Sequence, residues 1–184
     1  MKFGLLISAT LGFLLIIFGL IIVSPVGKPM LRSFFPTGEI VPVVWGDIRL
    51  DNRPARYLIC PGYKLCDELN DRSAIFDASL SRLLEEWKQI VSQNKEEMEL
   101  ILSDDSIRQY SYLIRSPFLQ LPDIVTVQFF EYLEDEDRPR SSIAIYSRRV
   151  YVSGDFGANS NRVFEYIRRL ESALGVYRRW RTDN

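Results

Sequence analysis

Between Ser147 and Val163 the chain reads "SRRVYVSGDFGANSNRV", which gathers a hydroxyl (Ser147), a carboxylate (Asp155), an amide (Asn159), Gly157 and the guanidinium groups of Arg148 and Arg162. A strand entering a glycine-containing turn that opens a helix leaves free amide groups, and these attract anions. Arg148 and Arg162 add charge-assisted donors, so one reading is an anion pocket. The other is a structural corner. In that reading Asp155 accepts the same amides or pairs with an arginine, Asn159 caps the helix, and Gly157 takes a backbone conformation closed to other residues. The tetrapeptide Gly154-Asp155-Phe156-Gly157 contains the metal-binding tripeptide of protein kinases. No histidine is present for the catalytic loop and no Walker pattern accompanies it, so a kinase or nucleotide-binding fold is excluded.

Composition narrows the chemistry further. The 184 residues contain no histidine, which removes Ser-His-Asp and Cys-His catalysis and the usual zinc sites. A catalytic base would have to be a carboxylate, a lysine or a perturbed cysteine. The 23 Lys+Arg and 24 Asp+Glu nearly cancel, so no overall field steers the chain to nucleic acid. The acidic run "EDEDRPR", residues 134–140, lacks the spaced acids and central glycine of a calcium loop and reads as a solvated hairpin tip. No metal or cofactor is expected. Cys60 and Cys66, in "CPGYKLC", are close enough to close a small loop as a disulfide in an oxidising compartment, or stand as two separate thiols.

The elements that must position these groups follow from periodicity. "RYLIC" (Arg56–Cys60) is a short strand ended by Pro61-Gly62. A helix follows with Asp77 as its N-cap, and Phe76, Leu80, Leu83, Leu84, Trp87 and Val91 at helical intervals. Strand signals occupy 98–102, 107–115, 124–133 and 142–152. In the last of these Ile143 and Ile145 share one face, and Ala144, Tyr146 and Val150 the other, so both faces are partly apolar. Val163, Ile167, Leu170 and Leu174 mark a final helix that Gly175 stops. The order predicts an α+β domain, with an antiparallel sheet of about five strands and two helices packed on one face, preceded by one N-terminal transmembrane helix.

Residues 4–23, "GLLISATLGFLLIIFGLIIV", carry no charge and as a helix would rise about 30 Å, the depth of a bilayer core. The run continues into "SPVGKP" rather than an A-x-A-like cleavage site, which reads as an uncleaved anchor over 1–24. Gly4, Ser8, Gly12 and Gly19 lie on nearly one face of that helix, a small-residue strip suited to close approach by another membrane helix. Lys2 on one side faces Lys28 and Arg32 on the other, so charge does not set the orientation. Five prolines over 25–54 forbid a long regular element and predict an extended connector whose aromatics pack on the domain or the membrane surface. The α+β domain then fills 55–184. Its end, "YRRWRTDN", suits either an anionic headgroup layer or a helix C-terminus, as do Arg168 and Arg169.

Tyr146-Ser147-Arg148, Asp155-Phe156-Gly157, Asn159 and Arg162-Val163 together resemble the C-terminal signature of the domain-of-unknown-function family 1499. The likeness extends through "RPARYLIC", "FDASLSRLLEEW", "YSYLIRSPFLQLPDIVTVQF" and "IAIYSRR", and departs at Arg149, Val152 and Gly154. The resemblance implies an α+β domain, often attached to one membrane helix and exposed outside the bacterial cytoplasm. It implies no activity, cofactor or substrate.

The expectation is therefore a non-catalytic, single-pass protein of the bacterial inner membrane with a periplasmic domain. It would contact lipid, bind another membrane protein through its helix, and serve as an accessory or assembly subunit of a membrane complex. The competing expectation is an anion-binding sensor or histidine-independent enzyme built on the corner from Ser147 to Arg162.

Overall fold

A computed structural model of the chain describes Thr10, Gly12, Phe13, Gly19, Leu20, Ser24 and residues 27–51, 55–62, 64–95, 97–132, 138–151 and 153–178. Most of the apolar run 4–23, including Gly4 and Ser8, lies outside the described residues, as do 133–137 and 179–184. Among the described residues no helix is long and apolar enough to cross a membrane. Gly12 and Gly19 are helical, and among the described residues a Cβ built on either would meet nothing within 4 Å.

In chain order the elements are α1 (Gly27–Phe34), a 3-10 turn (Trp45–Asp47), β1 (Arg56–Cys60), β2 (Asp71–Arg72), β3 (Ile75–Phe76), α2 (Leu80–Gln93), β4 (Glu99–Asp104), β5 (Gln109–Arg115), β6 (Pro122–Tyr132), β7 (Arg140–Arg149), α3 (Ala158–Leu174) and β8 (Val176–Arg178). The fold is α+β. Among the described residues its sheet has eight strands, with the path β2-β1-β7-β6-β5-β4 and with β3 pairing both β7 and β8. This corrects the expectation of a purely antiparallel sheet of about five strands and two helices. β1 and β2 run parallel, with Ile59 opposite Asp71. The strands β2, β3 and β8 are two or three residues long, too short for an alternating pattern to declare them.

The expected connector contains an eight-residue helix, α1. Pro29 falls in its first turn, where the missing N–H breaks no helical bond, and the Ser24 hydroxyl accepts the Gly27 N–H at 3.0 Å. The N-cap of α2 is Ser79, whose side chain accepts from the Arg82 amide, and not Asp77. Phe76 belongs to β3, because the short β3 pairing with β7 occupies the residues just before the helix.

Both faces of the sheet are covered, which is why β6 and β7 are buried along nearly their whole length. On one face Leu83, Trp87 and Ile90 of α2 meet Val163, Tyr166 and Leu170 of α3 over Val127, Phe129, Ile143 and Ile145. Trp87 closes this layer, with its ring edge-on to Tyr166 and its indole N–H donating to the Tyr112 hydroxyl at 3.1 Å. The connector covers the other face, where Trp45 and Ile48 pack with Leu58, Ala144 and Tyr146. Gln109 clamps it there: its side chain accepts the Val43 N–H at 2.6 Å and donates to the Val43 carbonyl at 3.0 Å. Cys60 and Cys66 are joined in a disulfide within this second layer, both fully buried.

Candidate functional site

Strand β7 delivers the corner residues by simple alternation. Ile145, Ser147 and Arg149 face the helices, whereas Tyr146 and Arg148 face the connector side. Residues 150–151 and 153–157 lead from β7 into α3. The turn requires a left-handed backbone at Gly157, φ 80°, and Phe156 is forced into the same region at φ 53°.

Asp155 stabilises the start of α3. One carboxylate oxygen accepts the Gly157 N–H at 3.0 Å, and the other accepts the Asn159 N–H at 2.8 Å and its side-chain amide at 2.6 Å. The free amides at this helix start are therefore already engaged by a carboxylate. Asn159 reaches on to the Ala55 carbonyl at 3.0 Å, tying the helix to the beginning of β1, and accepts from the Ser147 hydroxyl at 2.6 Å. Gly157 acts as the N-cap position by its conformation, and no side-chain cap comes from Asn159.

Arg162 completes the cluster. Its Nη1 donates to Ser147 Oγ at 3.0 Å and to Asn159 Oδ1 at 2.8 Å, and its Nη2 to Asp123 Oδ2 at 2.9 Å. Asp123 is the residue that sequence reasoning missed. It is 1% exposed at the start of β6 and directly opposite Arg149 in the β6–β7 register. Arg149 grips it with Nε at 2.8 Å and Nη2 at 3.3 Å, and also donates to the Gly154 carbonyl at 3.1 Å. The hydrogen bond to Asp123 holds the Arg149 pKa above its ordinary value. A single carboxylate thus joins two arginines from β7 and α3.

Of the six predicted site residues, the structure unites Ser147, Asp155, Gly157, Asn159 and Arg162, and separates Arg148. That side chain lies on the opposite face, half-buried and directly across from Arg56 of β1. Among the described residues it has no hydrogen-bond or ion-pair partner, and burial lowers its pKa, with the Arg56 charge adding to the effect. Arg56 itself pairs with Asp51 at 3.3 Å. Arg56, Arg148 and Tyr151 line a cavity of about 250 Å³.

No cluster of potential metal ligands occurs among the described residues. Arg168 and Arg169 are each paired with Glu165 at 2.8 Å. These bonds, first Arg169 and then Arg168, hold the Glu165 carboxyl below its usual range. Arg179, Trp180 and Arg181 lie outside the described residues. No protein-family model matches the chain, and no curated protein matches it.

Proposed function

We propose that the chain is a non-catalytic, single-pass protein of the bacterial inner membrane whose periplasmic α+β domain acts by binding, as an accessory or assembly subunit of a membrane protein complex. The observation that carries this reading is the internal closure of the corner. Ser147, Asp155, Asn159 and Arg162 satisfy one another and Asp123 through a chain of hydrogen bonds between 2.6 and 3.0 Å. That is the pattern of a structural device. The uncharged run 4–23 supports an anchor over 1–24, and the buried Cys60–Cys66 bond suits an oxidising compartment. The resemblance to the domain-of-unknown-function family 1499 supports the same architecture without adding an activity.

Small residues at Gly12 and Gly19 would let a partner helix approach closely. Crosslinking the full chain in native membranes and purifying it in mild detergent tests the reading. A second membrane protein should co-purify with the native chain and be lost with Gly12→Leu and Gly19→Leu. A monomer that never captures one sinks it. Sidedness is read by an impermeant maleimide on the exposed Ser172→Cys variant. Labelling of intact spheroplasts is expected, and labelling only after lysis argues for the cytoplasmic side.

One observation favours a second reading, an anion sensor. It is Arg148 and not Arg162, since Arg148 is half-buried beside Arg56 with no acidic partner among the described residues. Arg148→Ala should then abolish binding of small anions by a folded protein.

A further inference from the structure

We propose that the end of the domain built from α1, the 116–121 turn, Tyr151 and residues 153–157 rests on the bilayer. Its exposed aromatic side chains would lie in the interface, and the basic cavity behind them would hold the phosphate of an anionic phospholipid headgroup. This rests on the membrane-anchored reading above, and adds a surface and a ligand class to it.

The three segments form one surface because they are bonded to one another. Arg115, at the end of β5, donates to the Phe35 carbonyl at 3.1 Å and to the Gln120 carbonyl at 2.8 Å. Arg32 of α1 donates to Gln120 Oε1 at 3.1 Å. The Phe35 ring meets Tyr151 edge-on at 5.4 Å, and the Tyr151 hydroxyl donates to the Pro36 carbonyl. The chain leaves this same end toward the apolar run, since Ser24, which caps α1, immediately follows residues 4–23. That continuity selects a bilayer over a soluble partner as the occupant.

Apolar side chains are presented outward at this end. Phe34 is 68% exposed, Phe118 71%, Leu119 50% and Phe156 105%. Large apolar side chains left in water mark an interaction surface, and Phe and Leu suit burial at the boundary between headgroups and acyl chains. Both turns are internally hydrogen-bonded. Gln120 takes the left-handed region at φ 54° while its side-chain amide donates to the carbonyls of Ser116 at 3.0 Å and Pro117 at 3.2 Å. Phe156 is held out by the Asp155 bonds on its two sides.

Behind this rim lies a cavity of about 580 Å³. Asp123 in its wall is matched by Arg149 and Arg162, and Glu165 by Arg168 and Arg169. Setting these aside, the wall carries Lys28, Arg32, Lys95 and Arg115 against Glu97 and Glu99. Among the described residues none of the four cations is in an ion pair. Burial, followed by the Arg32 charge, lowers the Arg115 pKa, and the opposing effect of Glu99 does not offset them. Guanidinium and ammonium groups converging on an unfilled space suit a phosphate.

The test uses the full chain carrying Phe118→Trp, reconstituted into phosphatidylcholine vesicles with and without phosphatidylglycerol. Fluorescence is read as the difference from the unsubstituted chain. Brominated lipid should quench the added indole when phosphatidylglycerol is present. Lys28→Gln and Arg32→Gln, both at exposed positions, should each lower the docked-to-free ratio about fivefold. Absence of quenching overturns the docking surface, and equal quenching in neutral vesicles overturns the headgroup assignment. Resistance to carbonate extraction reads the anchor separately, so a chain that stays in the membrane with an unquenched probe refutes only the docking.

Discussion

Asp123 and Arg149 stand directly opposite each other on β6 and β7, and two hydrogen bonds of 2.8 and 3.3 Å join the carboxylate to the guanidinium. Arg162 approaches the same carboxylate from α3 at 2.9 Å. One acid therefore holds the sheet end to the helix that crosses it. Asp123→Asn keeps the shape and removes the charge, leaving two arginines, 10% and 16% exposed, without their counter-ion. The urea midpoint of the detergent-solubilised chain should fall by an amount equivalent to about 3 kcal/mol. A loss below about 0.5 kcal/mol would show that the cluster is not structural.

The two arginines singled out in the sequence should behave oppositely. Arg162→Ala removes bonds to Asp123, Ser147 and Asn159 and should cost about 2 to 3 kcal/mol. Arg148→Ala removes a charge facing Arg56 across the β1–β7 register, a like-charge arrangement that opposes pairing. Its unfolding midpoint should stay within about 0.5 kcal/mol of native, on the stabilised side at low salt. A large destabilisation by Arg148→Ala would mean that its side chain holds the fold.

Alkaline pH should unfold the domain through its tyrosines. Burial pushes Tyr57, Tyr110 and Tyr166 up to about 12, with Asp71 adding to the effect at Tyr57 and a hydrogen bond to Asp105 adding at Tyr110. Below pH of about 10 both folded and unfolded chains keep these protons, and the full contribution to stability is present. From about 10 to 12 the unfolded chain releases protons that the folded one retains, so stability falls as pH rises. Tyrosinate absorbance recorded with far-ultraviolet circular dichroism should show these phenols ionising late and together with loss of structure. All nine phenols titrating near 10 in a fully folded chain would refute this.

Reduction should loosen the connector face first. The Cys60–Cys66 bond closes a short loop within the layer that includes Trp45 and Leu58. Breaking it should lower stability by about 2 kcal/mol. In hydrogen exchange, protection should drop over 56–72 before it drops in α3. Simultaneous loss in both would show that the two layers do not open independently.

Much of this architecture was legible in local patterns. Strand β1 matches the reading of "RYLIC", and Gly175 ends α3 as its position suggests. The two faces of β7 are divided as the alternation of Ile143, Ala144, Ile145 and Tyr146 required. What escaped depends on pairing at a distance. Asp123 is the only acid between Asp105 and Glu131, a visible oddity in an apolar strand. Its link to Arg149 exists only through the β6–β7 register, which no local period encodes. Arg148 and Arg149 are neighbours in sequence, yet alternation sends them to opposite faces. The corner is completed by Arg149, one residue along from Arg148 and on the other face of the strand.

The clamp between the connector and Gln109 also has a mechanical meaning. The chain from Ser24 reaches the middle of the sheet at Val43 and Trp45, where Gln109 and Gln128 hold it, before it enters any strand. A pull along the N-terminal segment therefore loads the bonds at Arg32, Phe35 and Pro36 first and the Gln109 clasp next, ahead of the strand ladders. Among the described residues, side-chain bonds in series, and no strand ladder, thus stand between the N-terminal segment and the sheet.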